Sequence, residues 1–118
     1  IEQLQNIPHI HAKEVDFDIY TLPKGKYDLI VCTYFLDRRL FPQMIEALKP
    51  NGIILMETFL YHPDNERATS NPAFLLNKGE LESTFNNSCE LLQLPEFWDE
   101  DYQGFRTMKT SMVAKKKV

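Results

Sequence analysis

The stretch that decides the fold is "YDLIVCTYFLDRRLFPQMIEALKPNGIILMETF", Tyr27 to Phe59. It holds two short apolar runs, Leu29 to Thr33 and Ile53 to Met56. Each is continuous rather than alternating, the pattern of a strand covered on both faces in a parallel sheet. Between them Leu40, Phe41, Met44, Ile45 and Leu48 form one apolar stripe on a helix, with Pro42 tolerated in the first turn. "KPNG" at Lys49 to Gly52 ends that helix. Strand, helix, strand is the unit of an α/β fold, and in such sheets ligands sit beyond the carboxyl ends of the strands. The polar exit of the first run, Thr33, Tyr34, Asp37 and Arg38, would therefore line a crevice, with Glu57 and Thr58 in the same place after the second. Asp28 lies at the opposite, solvent-facing entrance of its strand.

Outward from this unit the rhythm continues. Upstream, His9 to Phe17 reads as a strand with Asp16 and Asp18 at its end, followed by Pro23 and Gly25 as loop signals. Downstream, Thr58 to Asn77 is polar, aromatic and Pro-containing, a length at which a loop in a compact domain usually has a function. Asn77 and Glu80 have capping-box spacing, and Leu81 with Phe85 makes an apolar pair one turn apart, so a helix should run to about Asn87. Glu90 to Leu94 and Phe105 to Ala114 read as strands joined through the turn-rich "PEFWDEDYQG", an antiparallel hairpin at a sheet edge. Lys115 to Lys117 should be solvated. The whole of residues 1–118 is read as one domain: an α/β, Rossmann-like sheet, mostly parallel, with a C-terminal antiparallel hairpin.

Composition narrows the partners. Of the residues, 43% are hydrophobic and 25% charged, enough for a modest core. Thirteen basic against seventeen acidic residues give a net charge of −4, so nucleic acid is not the expected partner. No apolar stretch approaches the roughly 20 residues that cross a bilayer, and no membrane role is expected. Two cysteines, Cys32 in a core strand and Cys89 at a strand start, suit reduced thiols and a cytoplasmic setting. His9 and His11 would share one face of a strand, but no third ligand is spaced to join them, and His62 stands alone, so no metal is expected. There is no G-x-S-x-G elbow and no Walker-type loop.

At the strand ends the chain resembles the class I S-adenosylmethionine-dependent methyltransferases, in particular the small bacterial type. The stretches that carry the resemblance are "VDFD" with "LPKGKYDLIV", "YFLDRRLFP" with "IEALKPNGIILMETF", and "NERATSNPAFLLNKGEL" continuing to Phe85. The resemblance implies S-adenosyl-L-methionine as cofactor and a methyl acceptor as the second ligand. It implies Asp16 and Phe17 at the adenine, and Thr33 and Tyr34 at the methionine part. Glu57, Tyr61, Arg67 and Asn71 fall on the acceptor side, and Glu57, Tyr61 or His62 could act as a base if the acceptor must lose a proton. No catalytic role passes to Asp37. Glu57 has an equally good structural reading, a carboxylate that holds the following loop. Tyr34, Phe35, Phe59, Tyr61 and Phe74 could wall a sulfonium, although Phe35 and Phe74 read better as core.

The family's first strand ends in a glycine-rich turn, and its second supplies an acid for the ribose. The four glycines here include no such turn, so the resemblance covers the carboxy-terminal portion of such an enzyme. In the family's sheet those two strands lie between the third and fourth, and without them an edge is bare. An unsatisfied buried backbone group costs about 1 to 3 kcal/mol. Either the His9 to Phe17 segment moves beside Leu29 to Thr33, or a homodimer covers the edge. The alternative to an enzyme is a non-catalytic α/β module that associates through this edge.

Overall fold

The computed structural model describes residues 8, 9, 12–66 and 71–118, with Pro72 described by its backbone alone. In chain order the elements are β1 (Tyr27–Thr33), α1 (Leu40–Ala47), β2 (Leu48–Phe59), a 3-10 turn (Pro72–Phe74), α2 (Glu80–Phe85), β3 (Cys89–Gln93), β4 (Glu96–Glu100) and β5 (Arg106–Lys116). They build one five-stranded sheet in the order β1, β2, β5, with β3 and β4 following each other along the far edge of β5. β1 pairs with β2 in parallel, and β5 is antiparallel to each of its neighbours. Four strands thus share a direction and β5 opposes them, the mixed α/β arrangement of a Rossmann-like sheet.

The core lies on one face. Leu40, Phe41 and Met44 of α1 and Leu81 and Phe85 of α2 bury against Ile54 and Met56 of β2 and Met112 and Ala114 of β5. The Phe41 and Phe85 rings meet at 5.4 Å between centroids. α1 leads directly into β2. The Leu48 N–H closes the last helical turn onto the Met44 carbonyl, and Leu48 is already extended. Gly52 is required by space: a Cβ there would lie 2.9 Å from the Lys49 carbonyl and 3.1 Å from that of Tyr27. The close approach falls where the β1–β2 register shifts between Tyr27 and Leu29.

Several expectations change. β1 is not covered on both faces: Ile30 and Cys32 pack towards the core, whereas Leu29 and Val31 are 53% and 58% exposed. They lie on the side away from α1, in register with the half-buried Ile53 and Leu55. The expected strand at His9 to Phe17 is irregular over 12–16 and turns at 17–19, with Ile10 and His11 outside the described residues. The described part of that segment does not pair with the outer edge of β1, whose ladder partner among the described residues is β2 alone. Homodimerisation through the edge remains an expectation.

The acidic "EFWDE" forms β4, so the turn of the hairpin is confined to Asp101–Phe105. Here the Asp101 carboxylate accepts the N–H groups of Gln103 and Phe105. Two of the closing lysines are also anchored, Lys117 while exposed as expected and Lys116 while half-buried. Lys116 Nζ donates to the Leu48 carbonyl at 2.9 Å and Lys117 Nζ to that of Asn86 at 3.1 Å, placing cations at the carboxyl ends of α1 and α2. Cys32 and Cys89 are both free thiols. No helix among the described residues is long and apolar enough to cross a membrane.

Candidate functional site

The carboxyl ends of β1 and β2 meet, as the strand pattern requires. Thr33 is in register with Glu57, and the next residue, Tyr34, turns into the left-handed region at φ 54°. Such a conformation in a non-glycine residue costs about 1 to 3 kcal/mol and persists only where its surroundings impose it. Here the Tyr34 N–H donates to the Glu57 carbonyl at 2.8 Å, and its hydroxyl donates to the Glu57 carboxylate. The second carboxylate oxygen accepts from Ser111 Oγ at 2.7 Å, across the β2–β5 ladder. One carboxylate thereby joins three strands.

Lys109 completes the cluster. Opposite Phe59 in the ladder, it places its ammonium 4.8 Å from the Tyr34 ring centroid and 5.5 Å from that of Phe59, while donating to Asp99 of β4 at 2.7 Å. The two rings are themselves in contact, tilted at 5.4 Å. The hydroxyl of Tyr34, and then that of Ser111, hold Glu57 below the usual carboxylate range. Burial, and then the neighbouring Glu57, push the Tyr34 phenol up. Burial is the largest influence on Lys109 and lowers its basicity, but the hydrogen bonds and charges of Asp99 and Tyr34 together outweigh it and the net shift is upward. At neutral pH Glu57 is therefore an ionised acceptor, which suits the structural reading better than that of a base.

In Tyr34→Phe the first cause of Glu57's acidity is removed, and its carboxyl should titrate at higher pH than in the wild type, as followed by carbon-13 NMR. An unchanged Glu57 titration would show that the pair does not form. The sign for stability follows. A depressed carboxyl stabilises the fold above its ordinary value of 4.5 and ceases to as the pH falls through the folded value.

On the other side of β1, Asp16 caps its own turn. Its carboxylate accepts the Asp18 N–H at 2.9 Å and its carbonyl accepts from Ile19 and Tyr20. Arg39 ties this turn to the end of β1 by bonding both Asp18 and Asp37, each at 2.7 Å. Phe17 reaches Phe35 at 6.0 Å, and the two line a cavity of about 370 Å³ together with Thr33, Cys32, Leu40 and Met44. Phe17 and Thr33 thus share a cavity, with Asp16 directly before Phe17, whereas Tyr34 faces Glu57, Phe59 and Lys109.

The acceptor-side residues are less gathered. Tyr61 is exposed, and its N–H bonds the Leu76 carbonyl. Asn71 caps the following turn by accepting the Ala73 N–H at 3.0 Å. Arg67 lies outside the described residues. The segment is held by Asn65, which accepts the Met108 N–H and donates to the Leu60 carbonyl, and by His62, whose ring meets Trp98 edge-on at 4.8 Å. Phe35 and Phe74, expected in the core, are 49% and 54% exposed. Among the described residues no group of three His, Cys, Asp or Glu could hold a metal.

Three residues of importance were not singled out in the sequence. Lys109, Asp99 and Ser111 come from strands whose register with β2 no local pattern announces. Arg38, named as part of the crevice, instead clamps α2: it bonds Glu80 at 2.5 and 3.0 Å and the carbonyls of Leu75 and Ala73 at 2.7 and 3.3 Å.

No protein-family model matches the chain, and no curated protein does. Solved structures do. TehB from Haemophilus influenzae is similar at 25% identity and a TM-score of 0.64, over 80% of this chain and 37% of that one. A SAM-dependent methyltransferase from Methanosarcina mazei gives 13% identity and a TM-score of 0.70, over 99% of this chain and 76% of that one. The N-methyltransferase NodS from Bradyrhizobium japonicum, solved with S-adenosyl-l-homocysteine, gives 12% and 0.65, over 98% of this chain and 58% of that one. The chain therefore spans little more than a third of the TehB length. Sheet order, the helices on the core face and the meeting of strand ends agree with these likenesses, and the chain has the fold of the class I S-adenosylmethionine-dependent methyltransferases, matching a part of it.

Proposed function

We propose that this chain forms part of a methyl-transfer site, with the cavity at Phe17 and Thr33 on the cofactor side and the Tyr34–Glu57 cluster on the acceptor side. The observation that carries this reading is the strained Tyr34 between the two, bonded to Glu57 through both its N–H and its hydroxyl. The residues fit S-adenosyl-L-methionine on one flank. The tilted rings of Phe17 and Phe35 offer apolar walls to the adenine, and Thr33 lines the same cavity, with Asp16 next to Phe17 and Tyr34 next to Thr33 in the chain. The glycine-rich turn and ribose-binding acid of the family are not supplied by these 118 residues.

When bound, the cofactor supplies a methyl group on a sulfonium whose thioether is already a good leaving group. What the chain adds is alignment, since in-line displacement gains most from proximity and orientation. Tyr34 is locked from two directions by Glu57, and the rings of Tyr34 and Phe59 border the place where an acceptor would lie. Tyr61 and Asn71 are assigned to this side too, and Arg67 is assigned to it from the sequence alone. The other reading, a module that associates through β1, has the exposed Leu29 and Val31 in its favour but makes no use of the Tyr34–Glu57 pair.

S-adenosylhomocysteine should bind this chain weakly, with a dissociation constant on the order of 1 mM. Saturation-transfer NMR should show its adenine protons in contact with the protein, and Phe17→Ala should remove that signal while leaving the fold intact by circular dichroism. Contact that survives Phe17→Ala, or no contact at all, would overturn this placement of the cofactor.

A further inference from the structure

We propose that the seat around Lys109 recognises an organic ammonium group, so that the methyl acceptor is an amine-bearing molecule held by that group in exchange for Lys109. The word acceptor rests on the methyltransferase reading; the binding itself does not.

The chain already contains one example of the contact. The Lys109 ammonium lies over two aromatic rings and against the Asp99 carboxylate, and its side chain is only 16% exposed. Ring faces together with a carboxylate are what select a small organic cation from water. The stem that carries this ammonium is flexible, and the carboxylate it bonds is not enclosed: the Asp99 side chain is 50% exposed. An ammonium from solution can reach the same oxygen atoms.

Beside this seat lies a cavity of about 320 Å³, and it shares the partners of Lys109. Phe59, Asp99, Glu100, Tyr102 and Thr107 line it with Lys109 itself. Its size falls at the lower end of small-ligand sites. An ammonium in the cavity meets the Phe59 ring and Asp99, the groups that hold the lysine, with Glu100 as a further carboxylate. Asp101, the third acid of the lining, is turned to the hairpin, where it caps Gln103 and Phe105. An anionic molecule would meet these acids with Lys109 already engaged. The ammonium is the handle by which the molecule is held, and the atom that takes the methyl group can be another.

The probe is n-butylammonium, which has the length of the lysine stem, with n-butanol as its neutral counterpart and butyrate as its anionic one. Lys109→Ala vacates the seat, and the variant should bind n-butylammonium about tenfold more tightly than the wild type by NMR titration of the Tyr34 and Phe59 ring signals. Asp99→Asn added to Lys109→Ala should abolish the gain, and neither butanol nor butyrate should reproduce it. Equal binding of butanol and butylammonium, or a gain that survives Asp99→Asn, would overturn the proposal. Should Lys109→Ala fail to fold, the wild type decides: its Lys109 side-chain signals should move towards those of free lysine as n-butylammonium is added, and signals that stay in place overturn it. No cofactor enters these titrations and no amine enters the adenine test, so each reading can fail by itself.

Discussion

Replacing Phe85 with alanine should lower the unfolding free energy by about 3 to 5 kcal/mol, the usual cost of removing a large aromatic side chain from a packed core. Phe85 has no exposed surface and lies against Phe41, so the deletion uncouples α2 from α1 as well as from the sheet. α2 has little stability of its own. It has six residues, begins after Gly79, and has no side-chain cap, so its helical form depends on what its apolar face touches. Domains of this size are stable by about 5 to 15 kcal/mol, and the variant would therefore lose much of the margin. Urea denaturation should show the midpoint falling sharply. Glu82→Ala on the exposed side of the same helix should change stability by no more than about 0.5 kcal/mol. A loss in Phe85→Ala as small as that of Glu82→Ala would contradict the packing of α2.

The second large effect is expected at Arg38. Its guanidinium bonds both oxygens of Glu80 and two backbone carbonyls of the turn before α2. Arg38→Ala should cost about 2 kcal/mol, a figure that already discounts for an arginine side chain with a third of its surface in water. Arg38→Lys should recover little, because one ammonium cannot span a carboxylate and two carbonyls as a planar fork does. The pH dependence distinguishes this clamp from simple loss of bulk. The hydrogen bond from Arg38 is the leading cause that holds Glu80 below its ordinary value of 4.5. A depressed carboxyl stabilises the native state above that ordinary value, and the contribution disappears as the pH falls through the folded one. Thermal unfolding between neutral and acid pH should therefore fall less steeply in Arg38→Ala and in Glu80→Gln than in the wild type. An acid limb identical in all three proteins would mean that the pair is not formed.

The capping-box spacing at Asn77 and Glu80 was visible in the sequence, and half of it forms: the Glu80 carboxylate accepts the Asn77 N–H at 3.0 Å. What no spacing showed is that Arg38 shares that carboxylate. The β1, α1, β2 unit was legible because its periods change from continuous to helical and back, with punctuation at "KPNG". β2 is longer than its apolar run because the ladders to β1 and β5 carry polar residues such as Glu57 and Thr58 along. β4 was hidden by its own chemistry. "EFWDE" reads as a turn because an edge strand wears charge on its solvent side, a device that discourages further pairing. The error at Leu29 and Val31 has a similar cause: a continuous apolar run says that both faces are fit to be covered, not that both are. Of the candidate site, the meeting of Thr33, Tyr34 and Glu57 follows from the strand ends alone. Lys109 and Asp99 do not, since an antiparallel register is set by tertiary packing and a slip of one residue would turn Lys109 to the other face.

The position of β5 has a consequence for how the polypeptide matures on the ribosome. β1 and β2 can zip together as soon as both leave the exit tunnel, but among the described residues β3 and β4 have no ladder partner other than β5, which is made after them. Synthesis proceeds at about 5 to 20 residues per second, so β3 and β4 stay unpaired for as long as the remainder takes to emerge. Completion of these ladders, and with it the arrival of Lys109 beside Tyr34, has to wait for β5.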